Sequence, residues 1–282
     1  MPRSAAYDVL LNKLLIQSLT LCTLLTTLFA SALLQAEQAR TQPRMVLIID
    51  DIGNNRENGT RAIQLPGAIT YGILPHAPLA KKFAWYASQQ TDGKEVIIHM
   101  PMQPRGNEKL EPGTLLVDHS REHFLAALDN AFRAVPHARG LSNHMGSAMT
   151  AQAEPMRWLM AELEQRQLYF VDSKTTTHSE AASAAASSAL PFLSRDIFLD
   201  HDPRPAAIAA AFERAIALAR REGLAVVIGH PYPSTLSYLE QALPALAEAG
   251  VALVAASEAL KSPSTTTIAA GQRPLASPQQ SL

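Results

Sequence analysis

The residues in this chain whose chemistry goes beyond packing are nine histidines and a set of aspartates, and the informative ones sit where short apolar runs end. Asp50 and Asp51 close the run 45–50 (MVLIID), His99 closes 95–99 (EVIIH) and Asp172 closes 168–172 (LYFVD). Asp200 and His201 follow 197–199, and His230 follows 225–229 (AVVIG). His144 stands in Leu-Ser-Asn-His-Met-Gly-Ser, after a further strand expected near Arg139. Two adjacent carboxylates repel each other, and a cation or a shared proton relieves the repulsion. Aspartate with several imidazoles and no thiol is a donor set for Zn²⁺ or a similar divalent ion that keeps a position open for water. Such an ion lowers the pKa of water to about 7 and polarises a carbonyl. A second carboxylate can then take a proton and a histidine can give one to the leaving group, which together hydrolyse an amide or ester.

Each residue also has a plainer reading. Asp50-Asp51 would serve as a helix N-cap before Gly53-Asn54-Asn55, His99 as a core histidine bonded to a carbonyl, and Arg195-Asp196 as a structural ion pair. Asn143 and Ser147 are small polar neighbours of His144 that would let a ligand approach the backbone. His76, His119, His123, His137 and His178 are expected as surface or cap residues, and His201 is assigned neither way.

The elements that must position these groups follow from apolar rhythm. Buried strands are expected at 45–50, 68–74, 95–99, 168–172, 197–199, 225–229 and 251–254, because each is a short apolar run bounded by Gly, Pro or Asp. Amphipathic helices are expected at 121–135, 154–166, 206–222 and 236–249, with shorter ones at 58–65 and 79–89. Strand–helix alternation with seven or eight strands implies a parallel sheet closed into a barrel over residues 44–261. In such an array the C-terminal strand ends carry function, and the polar residues above are there.

Composition narrows the classes. With 24 basic against 25 acidic side chains, the chain lacks the basic stripe of a nucleic-acid binder. In the first 40 residues, Arg3 and Lys13 precede an apolar run at 14–34, and small residues follow at Ala30, Ser31, Ala32 and Ala36. This is the pattern of a signal peptide, or of an uncleaved anchor near the ~20 residues needed to span a bilayer. Either implies that the rest of the chain crosses the membrane, with membrane contact only through that segment. The single cysteine, Cys22, lies inside the run after Leu21, too large for a lipoprotein site, so the exported domain has no thiol for disulfides, zinc or nucleophilic attack. The tail at 262–282, rich in Ser, Thr, Pro and Gln, is expected to be disordered.

Six segments in order, spanning about Met45 to Leu260, resemble the divergent polysaccharide deacetylase family, exported bacterial proteins related to the carbohydrate esterase barrels. They are Ile48-Ile49-Asp50-Asp51-Ile52-Gly53, His99-Met100-Pro101-Met102-Gln103-Pro104, Asn143-His144-Met145-Gly146-Ser147, Phe170-Val171-Asp172-Ser173-Lys174-Thr175, Arg195-Asp196-Ile197-Phe198-Leu199-Asp200 and Ile228-Gly229-His230-Pro231. The resemblance implies a distorted, usually seven-stranded (β/α) barrel with a divalent metal, Zn²⁺ foremost, in its mouth. It implies Asp50 as catalytic base and Asp51 as metal ligand. The related esterases take two further ligands from a His-x-x-x-His pair, but four residues after His144 stands Ala148. His99 is therefore expected to join Asp51 and His144 on the metal, with His230 as general acid or further ligand. Asp172 would orient a ligand or the acid, and Asn143, Ser147, Ser173, Arg195 and Asp200 would either support these groups from behind or contact the substrate. The function implied is removal of acetyl groups from an envelope polysaccharide, peptidoglycan being one candidate. A non-catalytic glycan- or partner-binding protein on the same barrel is the alternative that Ala148 suggests. A hydrolase of another bond is a third.

Overall fold

Strand β1 (Arg44–Ile52) shows how the residue order becomes a barrel. Adjacent side chains on a strand face opposite ways. Met45, Leu47 and Ile49 pack into the large core beneath the helices, whereas Val46 and Ile48 join a second core built from inward-facing strand residues. The same alternation recurs around the sheet, where Ile97, Val171, Leu193, Val226 and Ile228 fill that second core. The computed structural model describes residues 42–261, so the leader at 1–40 with Cys22, and the tail at 262–282, lie outside the described residues.

The remaining elements are α1 (Arg56–Gln64), β2 (Thr70–Ile73), α2 (Ala80–Ser88), β3 (Glu95–Met102), α3 (Arg121–Ala134), β4 (Gly140–Met145), α4 (Ala153–Gln165) and β5 (Tyr169–Asp172). They continue with α5 (Ala181–Ser187), β6 (Phe192–Ser194), β7 (Ile197–Phe198), α6 (Pro205–Glu222), β8 (Leu224–Gly229), α7 (Pro233–Ala242), β9 (Ala252–Leu253) and α8 (Ala256–Leu260). The strands pair in parallel in the order β6-β5-β4-β3-β2-β1-β8-β7, with β9 joining the start of β1. The two ends of this curled array, β6 and β7, are joined in sequence by Arg195 and Asp196 alone. Arg195 N donates to Asp172 O while Asp196 N donates to Val226 O, so the chain steps from one edge to the other there. The result is a distorted (β/α) barrel with eight strands on its path.

The structure departs from the expected elements in a few places. The helix expected at 236–249 starts at Pro233 and stops at Ala242, and a 3₁₀ turn (Leu243–Ala245) follows, because Pro244 lacks the N–H the helix would need. Helices α5 and α8 and strand β6 were not expected. Helix α5 is all Ala and Ser, and so has no apolar periodicity to read. Helix α8 closes the bottom of the barrel by placing Ala256 and Ala259 in the inner core.

Candidate metal and hydrolytic site at the barrel mouth

Residues with the inward parity of Val46 and Ile48 continue upward to Asp50. A regular strand would send Asp51 outward. Instead, the β1–β2 register slips between Ile49 and Ile52, and Asp51 adopts the left-handed region at φ 59°. Aspartate tolerates that conformation better than most residues, and such bulges re-aim side chains next to functional sites. Asp50 and Asp51 therefore reach the mouth together. Gly72 on β2 makes room for them, since a Cβ there would stand 1.8 Å from Asp50 Oδ1.

Parallel pairing of β3 with β4 sets His99 beside Ser142 and Pro101 beside His144. Asp51 Oδ1 lies 3.0 Å from His144 Nδ1 and 3.3 Å from His99 Nε2, and the two nitrogens are 3.1 Å apart. Ser142 Oγ donates to Asp50 Oδ1 (3.4 Å), so it accepts from His99 Nδ1 (2.7 Å). In the neutral ring that leaves His99 Nε2 as a lone pair facing the triangle. A carboxylate oxygen and two nitrogens crowd one point that a positive charge would stabilise. Edges of 3.0–3.3 Å match the roughly 3.3 Å edge of a tetrahedron with ~2.0 Å bonds to Zn²⁺. Asp51, His99 and His144 are also the group among the described residues whose ligand atoms lie within 4.8 Å of one another. The donor set fits a divalent ion.

Electrostatics agree with the geometry. Burial pushes the Asp51 carboxyl up, but the close approach of the His144 and His99 rings outweighs it and holds the group far below the usual carboxylate range. For His144, burial disfavours the charged ring, yet Asp51 overcomes this and raises its pKa. Asp50 is only 1% exposed, and burial raises its pKa, partly offset by His99. Its Oδ2 has no hydrogen-bond partner.

On the opposite side of the mouth, His230 Nε2 points at Asp51 Oδ2 from 3.9 Å. Its Nδ1 is 2.9 Å from Asp200 Oδ1, while Asp200 Oδ2 accepts from His230 N and Thr235 Oγ1. Burial depresses the His230 pKa, and Asp200 more than reverses that. The ring is stacked between Phe198 (5.1 Å between centroids) and Tyr232 (5.4 Å), and Tyr232 is 44% exposed.

The other expected site residues are placed differently. Asp172 was expected to orient a ligand or the acid. It accepts instead from Lys174 N (2.8 Å) and from Ser179, and Asp200 is the carboxylate on His230. Asn143 ties strand ends together, donating to Met145 O and accepting from Ser173 N. Ser147 accepts from Arg105 N. Arg195 donates to the carbonyls of Ser173 and Lys174 and lies over the Phe198 ring, and Asp196 accepts from Val226 N. Ser173 Oγ is buried without a partner. His119, His123 and His178 bond locally near turns and helix starts, as expected. His76 does not fit the surface expectation, because it pairs with Glu111 at 2.9 Å. Sequence reasoning missed Ser142, Thr235, Tyr232 and Glu111. The parity of Ser142 with His144 was the one available signal. Two clefts of about 400 and 420 Å³ open at the opposite end of the barrel beside Arg139 and Ser257, away from these imidazoles.

The profile of the divergent polysaccharide deacetylase family matches residues 47–260, nearly all of the described chain. The chain belongs to that family. Among the relatives of this chain, the uncharacterized protein YibQ of Escherichia coli K12 is 36% identical over 237 residues, covering 84% of this chain and 73% of YibQ. An uncharacterized protein of Haemophilus influenzae is 36% identical over 207 residues, 73% of each chain. The crystal structure of ATU2773 from Agrobacterium tumefaciens C58 shares the fold, with a TM-score of 0.74 at 20% identity over 77% of this chain and 89% of that one.

Proposed function

We propose that this protein is an exported, metal-dependent hydrolase that removes acetyl groups from an envelope polysaccharide, peptidoglycan being a candidate. The observation that carries this reading is the triangle of Asp51 Oδ1, His99 Nε2 and His144 Nδ1, set between a buried carboxylate and a carboxylate-paired imidazole. Asp51, His99 and His144 would hold the ion, Zn²⁺ by donor set. When bound, it supplies a water of lowered pKa and polarises the acetyl carbonyl. Asp50 Oδ2, free of other partners, takes the proton released as the carbonyl is attacked. His230 Nε2, kept protonated by Asp200, gives a proton to the departing amine or alcohol. Tyr232 offers an exposed aromatic face beside His230 on which a sugar ring can lie. His99 supplies the second imidazole that Ala148 denies a His-x-x-x-His pair. The leader at 1–40 would carry the domain across the membrane and either be cleaved or keep it tethered.

Acetate release from acetylated glycans, measured with protein purified without chelator, tests the reading. Release that requires the ion is the expected result. Less than about one ion per two molecules at a site of this donor set, and no acetate, would favour a non-catalytic glycan- or partner-binding protein on the same barrel.

A further inference from the structure

His144 turns Nδ1 toward Asp51 and His99, which leaves Nε2 pointing away from them, 3.9 Å from Glu111 Oε2. The same carboxylate oxygen is 2.9 Å from His76 Nε2. Glu111 Oε2 and His144 Nε2 are both buried atoms without an aligned hydrogen bond. The three residues come from three neighbouring strand ends: His76 follows β2, Glu111 lies in the loop after β3, and His144 is on β4.

The loop holding Glu111 is tethered. Gln103 N donates to Leu115 O and Leu115 N to Pro101 O, both at 2.9 Å, and Gln103 Oε1 accepts from Val117 N at 2.8 Å. Thr114 Oγ1 donates to Glu111 O at 2.7 Å, and Leu115 is fully buried. These bonds fix where the Glu111 carboxylate is delivered.

A histidine that offers Nδ1 to a cation carries its proton on Nε2, and that proton needs an acceptor to fix tautomer and ring orientation. His99 finds its acceptor in Ser142. We propose that Glu111 is the matching positioning residue for His144. It accepts a hydrogen bond from the Nε2–H and so holds the Nδ1 lone pair toward Asp51 and His99, while His76 braces the carboxylate from behind. The 3.9 Å separation is longer than a hydrogen bond, and contacts of this kind tighten when a site is loaded. The inference rests on the metal reading of Asp51, His99 and His144.

The test is Zn²⁺ affinity by chelator competition on the full chain, together with the visible spectrum of Co²⁺-loaded protein. Glu111→Ala should weaken Zn²⁺ by about 10- to 100-fold and shift the Co²⁺ spectrum, with the melting curve of ion-free protein unchanged. Glu111→Gln keeps an acceptor oxygen and should recover part of the loss, and His76→Ala should give a smaller loss in the same direction. Wild-type protein that binds Zn²⁺ tightly, with Glu111→Ala equal to it in affinity and spectrum, overturns this inference alone. Gln no better than Ala, with an ion-free melting temperature lowered in step with the affinity, would also overturn it by showing a merely structural role. Wild-type protein that takes up no Zn²⁺ overturns the metal reading and this inference with it.

Discussion

The two ends of the barrel interior treat buried polar atoms in opposite ways. At the bottom, Glu95 Oε1 accepts from Tyr169 Oη at 2.6 Å and from Ser257 N at 3.1 Å, and Thr70 Oγ1 accepts from Ala256 N. At the mouth, Asp50 Oδ2, Asp51 Oδ1, His76 Nδ1, Glu111 Oε2, His144 Nε2 and Ser173 Oγ are buried without hydrogen-bond partners, and among the described residues no such atom lies at the bottom. Native folds satisfy nearly all buried polar groups, so a cluster of exceptions marks a place kept ready for something else. In parallel α/β barrels the bottom serves stability and the top serves chemistry. The same parallel strands, read from start to finish, pass from one to the other.

The largest effect that should separate the two ends comes from the ion ligands. Asp51→Ala and His144→Ala should each abolish retention of the ion, measured by elemental analysis, and with it all acetate release, while the barrel still folds by circular dichroism. Retention of the ion in both variants would refute the ligand assignment. Asp50→Asn comes next. It should keep the ion and lose about 10²- to 10⁴-fold in turnover, the range for a missing general base. Loss of the ion in that variant would mean that Asp50 acts mainly through its 3.3 Å contact with His99 Nδ1.

At the other end, Glu95→Ala strands the Tyr169 hydroxyl and the Ser257 amide in a buried site. It should cost about 2–4 kcal/mol in urea unfolding and leave ion affinity unchanged. A change in ion affinity there would erase the distinction between the two ends.

The smallest effect is a shift in pH profile. His230 acts as an acid only when protonated, and Asp200 holds its pKa above the ordinary 6.5. Turnover should therefore be present below that raised value and be lost as pH rises through it. Asp200→Asn should move this alkaline limb to lower pH, read from turnover against pH at constant ion loading. A limb that stays in place would remove His230 from the acid role.

The barrel and much of its mouth were legible in the residue order because strand parity is a strong constraint. Asp50, His99, His144 and His230 lie at the upper ends of buried strands, and their inward register follows from Val46, Ile97, Ser142 and Ile228. What stayed hidden depends on contacts between distant segments. The swing of Asp51 depends on a bulge and a left-handed backbone that no apolar pattern announces. Glu111 sits in a loop with no periodicity, and its pairing with His76 and its approach to His144 arise only when three strand ends meet. Asp172 misled for a related reason. It ends a strand as Asp50 does, but the turn after it, with Lys174 at φ 49°, bends the backbone N–H onto its carboxylate.

The most direct test is a crystal structure of protein loaded with Zn²⁺, with data collected at the zinc absorption edge. One anomalous peak within about 2.0–2.2 Å of Asp51 Oδ1, His99 Nε2 and His144 Nδ1 is the expected result. A peak held by other residues, or none at full zinc loading, would contradict the account.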